Sequence, residues 1–108
     1  MRVANLLDLT NQTGVSTGPV FNPFRGKDDR VIRGTGGLAT FKLSDAACSC
    51  RLEGSIDGVN FVNIKTVTRT GSGNDVLEGH SIAIFPHMRG RVMSASIGAD
   101  IKLDIAFE

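Results

Sequence analysis

Cys48-Ser49-Cys50-Arg51-Leu52-Glu53-Gly54-Ser55-Ile56-Asp57-Gly58-Val59-Asn60-Phe61 is the stretch that decides the class of fold. Cys48, Cys50 and Leu52 alternate with Ser49, Arg51 and Glu53. A period of two puts the first set on one face of a strand and the second set in water. Gly54 and the alternation argue against a helix over Asp45 to Glu53. Asp57-Gly58 then separates two apolar-patterned runs. Both residues tolerate positive φ, so a β-hairpin is expected here. Phe61 to Thr70 continues as a strand rich in β-branched residues.

The pattern repeats on both sides. Ala39, Phe41 and Leu43 alternate with Thr40 and Lys42 between Leu38 and Leu43, and Ser44-Asp45 marks a turn. Ile101, Leu103, Ile105 and Phe107 face inward in a last strand, with Lys102, Asp104 and Glu108 in water. His80 to Phe85 sets Ile82 and Ile84 against Ser81, Ala83 and Phe85, and Pro86 ends it. Arg89 to Ile97 is a further strand, closed by a turn at Gly98-Ala99-Asp100. Val31-Ile32 is a short strand before Gly34-Thr35-Gly36-Gly37, and Gly71-Ser72-Gly73-Asn74 is a loop. Val3 to Thr10 fits a strand through Val3, Leu7 and Leu9, or a short helix through Val3, Leu6 and Leu7. Asn11-Gln12-Thr13-Gly14 stops it. Pro19 and Pro23 suit a sheet edge or an extended arm, because proline donates no ladder hydrogen bond.

Thirteen glycines are scattered over 108 residues, and the longest run free of Gly and Pro is Leu38 to Glu53. That leaves little room for long helices and favours many short strands. The expected fold is all-β: a single small β-sandwich over residues 1–108, jelly-roll or immunoglobulin-like, of about seven to eight short antiparallel strands. Residues 1–28 either belong to it or form an extended N-terminal arm.

Twelve basic and eleven acidic residues give a net charge of +1, with no single-sign stripe. Phosphate neutralisation dominates nucleic-acid affinity, so no nucleic-acid partner is expected. No apolar run approaches the length of a membrane span, and none is expected. The start, Met1-Arg2-Val3-Ala4-Asn5, interrupted by Asn5 and Asp8, does not read as a secretory signal. A disulfide between Cys48 and Cys50 would be strained on one extended strand, so both are expected as reduced, small core residues.

Catalytic chemistry finds little purchase. His80 and His87 are the only histidines and lie in no recognisable motif; both are expected in loops or on strand surfaces. There is no Gly-x-Ser-x-Gly elbow. Gly34-Thr35-Gly36-Gly37 lacks the lysine and helix of a phosphate-binding loop and reads as a connector. Asp28, Asp29 and Asp57 read as turn residues, and two cysteines fall short of a zinc set. No enzyme activity, cofactor, metal or small-molecule substrate is therefore expected. With no Trp and no Tyr, a flat aromatic platform for glycans is missing.

Candidate interface residues are Phe21, Phe24, Arg25, Arg30 and Arg33. Phe21 and Phe24 flank Pro23 and serve either as exposed anchors or as a cap on the core. Arg25, Lys27, Arg30 and Arg33, interleaved with Asp28 and Asp29, form either a solvated mixed-charge loop or a contact surface for an acidic partner.

Taken in order, Gly34-Thr35-Gly36-Gly37, Leu52-Glu53-Gly54-Ser55-Ile56-Asp57-Gly58-Val59-Asn60-Phe61 and Phe85-Pro86-His87-Met88-Arg89-Gly90-Arg91-Val92 resemble the small β-sandwich virion proteins of tailed bacteriophages, especially capsid decoration, or cement, proteins. The resemblance covers mainly Gly34 to Val92. It implies a homotrimer, made in the host cytoplasm, that binds the outside of a phage head and bridges neighbouring subunits of the major capsid protein. A tail- or fibre-associated module binding a receptor or glycan is the alternative.

Overall fold

The computed structural model describes residues 2–23, 36–44, 47–69, 76–95 and 98–107. Phe24, Arg25, Lys27, Arg30, Arg33, the expected strand at Val31-Ile32 and the loop at Gly71-Ser72-Gly73-Asn74 lie outside the described residues.

Among the described residues there are eight strands: β1 (Arg2–Gln12), β2 (Ser16–Thr17), β3 (Gly36–Leu43), β4 (Cys48–Ser55), β5 (Val62–Arg69), β6 (Val76–Ala83), β7 (His87–Ala95) and β8 (Ala99–Phe107). They form two four-stranded antiparallel sheets, in the orders β1-β8-β3-β6 and β2-β7-β4-β5. Successive strands cross from one sheet to the other everywhere except at the β4-β5 hairpin, and the first and last pair side by side. That is jelly-roll order, which resolves the two sandwich topologies left open above.

The alternating runs become core where expected. Ala39, Phe41 and Leu43 from β3 and Ile101, Leu103, Ile105 and Phe107 from β8 meet Cys48, Cys50 and Leu52 from β4 and Met88 and Val92 from β7. Both cysteines are free thiols within this layer.

The N-terminal segment settles as a strand. β1 pairs with β8 from Arg2↔Phe107 to Gln12↔Ala99. Its ambiguous period has a physical origin in a register shift between Asn5 and Leu7, which lets Leu6 and Leu7 both be buried. Asn5 secures the bulge: its amide nitrogen donates to the Leu7 carbonyl at 3.0 Å and to Asp104 Oδ1 at 2.8 Å. Of the residues 1–28 considered as an arm, the described part packs against the chain itself. β2 is the edge of the second sheet, and Gly18 N–H donates to the Gly90 carbonyl at 2.9 Å.

Several boundaries differ from expectation: β1 runs on to Gln12, β6 ends at Ala83 rather than Phe85, and β8 begins at Ala99, inside the expected turn. β6 begins at Val76 rather than His80, β7 begins at His87 rather than Arg89, and β5 runs only from Val62 to Arg69. Phe85, read as facing opposite to Ile82 and Ile84, lies beyond the end of β6 and packs onto Gly54, where a Cβ would lie 2.6 Å from its ring. A glycine is required there because the ring fills the space a side chain would need.

Candidate functional site

The hairpin around Asp57-Gly58 forms as expected, joining β4 to β5, but its turn is not a two-residue one. Ile56 to Phe61 all lie between the strands, and of the Asp57-Gly58 pair Gly58 alone has positive φ, at 79°. A side chain at Gly58 would also meet the His87 ring at 3.3 Å.

Asp57 organises this loop. Its Oδ1 accepts from the Val59 amide at 2.8 Å, the Asn60 amide at 2.9 Å and the Ser55 hydroxyl at 2.9 Å. Its Oδ2 accepts from the Asn60 side chain at 2.9 Å, and the Gly58 amide donates to Ser55 Oγ at 2.9 Å. The Asn60 amide, then that of Val59, together with the Asn60 and Ser55 side chains, hold the Asp57 carboxyl well below the usual carboxylate range. The frame so fixed carries Ile56 and Val59, which are 79% and 78% exposed. Val62 beside them is also exposed, and a shallow, mostly apolar hollow runs between Ile56, Val62 and Phe85. The molecule therefore presents an apolar tip on a preorganised backbone.

A second feature lies on the face of the β2-β7-β4-β5 sheet turned away from the core. Glu53 was expected in water with Ser49 and Arg51. It does share their face, yet it is only 1% exposed. Arg51, two residues earlier on β4, donates from Nε to Glu53 Oε2 at 2.6 Å. Arg89, opposite it on β7, donates from Nε to Oε1 at 2.7 Å. The Arg89 guanidinium in turn lies 3.9 Å above the Phe61 ring. Arg91, opposite Arg51, brings Nη1 to 3.9 Å from Glu53 Oε2. Burial by itself raises the Glu53 carboxyl, and the hydrogen bonds from Arg89 and Arg51 more than reverse this, so it stays ionised below its ordinary titration range.

Of the five candidate interface residues, only Phe21 is described. It is half-buried, its ring 5.9 Å from that of Phe107 in an edge-on contact. Its backbone exchanges hydrogen bonds of 2.7 and 2.8 Å with Met88. Phe24, Arg25, Arg30 and Arg33 cannot be placed against these surfaces because they lie outside the described residues. The arginines the structure does bring together, Arg51, Arg89 and Arg91, were not singled out from sequence. Arg-x-Arg in an alternating strand hints that Arg89 and Arg91 share a face, but their meeting with Glu53 depends on the long-range β4-β7 register.

The histidines lie apart. His80, on β6, is 2.9 Å from Glu78 Oε1 and edge-on to Phe41 at 6.0 Å. His87 opens β7 beside Gly58. Among the described residues no group of three or more His, Cys, Asp or Glu side chains is placed to hold a metal.

No protein-family model matches the chain, and no curated protein matches it in sequence. Its fold is similar to the crystal structure of the PBSX exported protein XepA, with a TM-score of 0.68 at 11% identity. That likeness covers 98% of this chain and 36% of the other, so the present chain spans about a third of its length. At this identity the likeness is one of fold.

Proposed function

We propose that the chain is a non-catalytic phage virion protein that decorates the outer surface of a head, bridging neighbouring subunits of the major capsid protein, as a homotrimer. The observation that carries this reading is the apolar tip. Two aliphatic side chains nearly four-fifths exposed on a loop locked by five hydrogen bonds are costly to keep in water and inexpensive to dock, since little order remains to be lost on binding. The sequence resemblance to decoration proteins passes through the same Gly54 to Phe61 segment. The fold likeness to the PBSX exported protein supports a phage-associated role at that coarser level. Weak contacts suffice for such a protein, because repetition over a symmetric shell multiplies them.

The test is sedimentation of the purified chain with phage heads that lack it, followed by thermal disruption of the heads. Co-sedimentation and a raised disruption temperature are expected, and both are expected to be lost in the double variant Ile56→Asp, Val59→Asp. A chain that ignores heads and binds host cells or glycans instead would replace this reading with that of a receptor-binding module.

A further inference from the structure

We propose that the outer face of the second sheet is a docking site for an acidic segment of a partner protein, whose carboxylates are received by Arg91 and by the outward edges of Arg51 and Arg89. The proposal deepens the reading above by naming the chemistry of the partner surface, and rests on it only for which protein that partner is.

Cross-strand register lays this face out in rows. Thr66, Arg51, Arg91 and Thr17 lie side by side, next to Asn63, Glu53 and Arg89. Ser49 pairs with Thr68 through their hydroxyls at 3.2 Å on the next row. Three guanidinia thus surround one carboxylate, a surplus of two positive charges. The other sheet has no such surplus at its centre: Lys102 stands between Asp8 and Lys42, and Asp104 between Asn5 and Thr40, so two lysines are balanced by two carboxylates.

Glu53 is already engaged by two of its three arginines. Its two oxygens accept from Arg51 and Arg89, and Arg91 at 3.9 Å stands beyond hydrogen-bond reach. The Nε of Arg91 is moreover buried without an acceptor. A guanidinium is an obligate donor, so this nitrogen is unanswered within the described residues, and the group's one ionic partner there is Glu53 at 3.9 Å. Its planar fork matches a carboxylate in bidentate geometry, and the exposed hydroxyls of Thr17 and Thr66 flank it with further donors. Arg89 is held in place by Phe61 below and Glu53 beside it, so the site is shaped before anything binds. A surplus of two charges suits a pair of carboxylates. Nucleic acid, which needs many phosphates neutralised at once, is a poorer match.

The experiment uses the full chain labelled with ¹⁵N and titrated with poly-L-glutamate, a short DNA duplex and heparin. Poly-L-glutamate is expected to shift the Nε–H resonances of Arg51, Arg89 and Arg91 and the amides of β4 and β7. The logarithm of affinity is expected to fall with the logarithm of salt with a slope of about 2 or less. Arg91→Gln is expected to weaken binding about tenfold, and Arg91→Lys, which keeps the charge without the fork, to restore only part of it. Shifts that map elsewhere in the unmutated chain, tighter binding of DNA or heparin, or an undiminished Arg91→Gln would each overturn the proposal. On heads, Arg91→Gln binding as well as the unmutated chain at every salt concentration would overturn this site and leave decoration standing. Poly-L-glutamate binding here by a chain that ignores heads would do the reverse.

Discussion

Gly90 of β7 receives the side chain of Leu7 from β1: a Cβ built on Gly90 would lie 2.5 Å from Leu7 Cγ and 2.9 Å from Leu103 Cδ2. The two sheets close against each other at this point because one of them carries no side chain there. Interiors packed to this density do not absorb an extra methyl without moving something.

Gly90→Ala is therefore expected to destabilise the fold by about 1–3 kcal/mol. The opposing gain from a stiffer unfolded chain is smaller, under about 1 kcal/mol. Urea unfolding of Gly90→Ala, Leu7→Ala and the double variant reads the coupling. The double variant is expected to lose clearly less than the sum of the singles. Additivity within about 0.5 kcal/mol would mean that the two residues do not share this space.

Glu53 makes stability depend on acid. Its carboxyl titrates lower folded than unfolded, so the unfolded chain binds the proton more tightly. The stabilisation is then fully present above the ordinary value of 4.5 and drains away as the pH falls through and below it. Urea midpoints measured from pH 7 to pH 3 are expected to drop, and to drop less in Glu53→Gln. At pH 7, Glu53→Ala is expected to cost about 2–4 kcal/mol, because it takes from Arg51 and Arg89 the acceptor they share and leaves three guanidinia facing one another without a countercharge. An unchanged pH profile in Glu53→Gln would assign the acid loss to other carboxylates.

Asp57 acts in the same direction, but locally. Its order is present above its ordinary value of 3.8 and is lost as the pH falls below it. Asp57→Ala is expected to speed amide exchange and proteolysis between Ile56 and Phe61 while leaving the urea midpoint nearly unchanged. Asp57→Asn, which keeps one acceptor oxygen, is expected to lie between the two. Exchange that spread into β4 and β7 would show the loop to be part of the global folding unit.

The thiols provide a probe of the core. Burial, and secondarily the neighbouring Cys48, pushes the Cys50 thiol up to about 12, and burial raises Cys48 as well. Only thiolate attacks a disulfide reagent. At pH 8 the folded chain is expected to resist Ellman's reagent for hours, and to release two equivalents on unfolding in guanidinium chloride. Rapid reaction of the folded chain would place the Cys48-Cys50 strand outside the core.

These tests bear on parts of the molecule that differ in how legible they were. β3, β8 and the first half of β4 were readable because each buries one clean face: Phe41, Leu103 and Cys50 sit where alternation put them. β1 was ambiguous because its bulge sets Leu6 beside Leu7 in the core, a pattern that mimics a helical stripe. The start of β6 was missed because Leu77, 73% exposed, and Gly79 give an edge strand no apolar rhythm. The apolar tip was half legible. Asp57-Gly58 marked the hairpin, but the six-residue loop depends on which of the Asp57 oxygens find amides. The arginine cluster was not legible, because strands 36 residues apart must be placed side by side before Arg89 meets Glu53.

The seam between β1 and β8 sets the tempo of folding. Leu9 lies opposite Ile101, and the Asn11 amide donates to Asp100 Oδ1 at 2.8 Å, so a strand from one end of this sequence is held by one from the other. During synthesis, at about 5–20 residues per second, β1 leaves the ribosome several seconds before its partner exists. Through that interval Leu6 and Leu7 have no sheet to enter, and the unpaired edge is open to other nascent chains. A protein built this way assembles late and nearly all at once, and its yield depends on how crowded with its own copies that waiting period is.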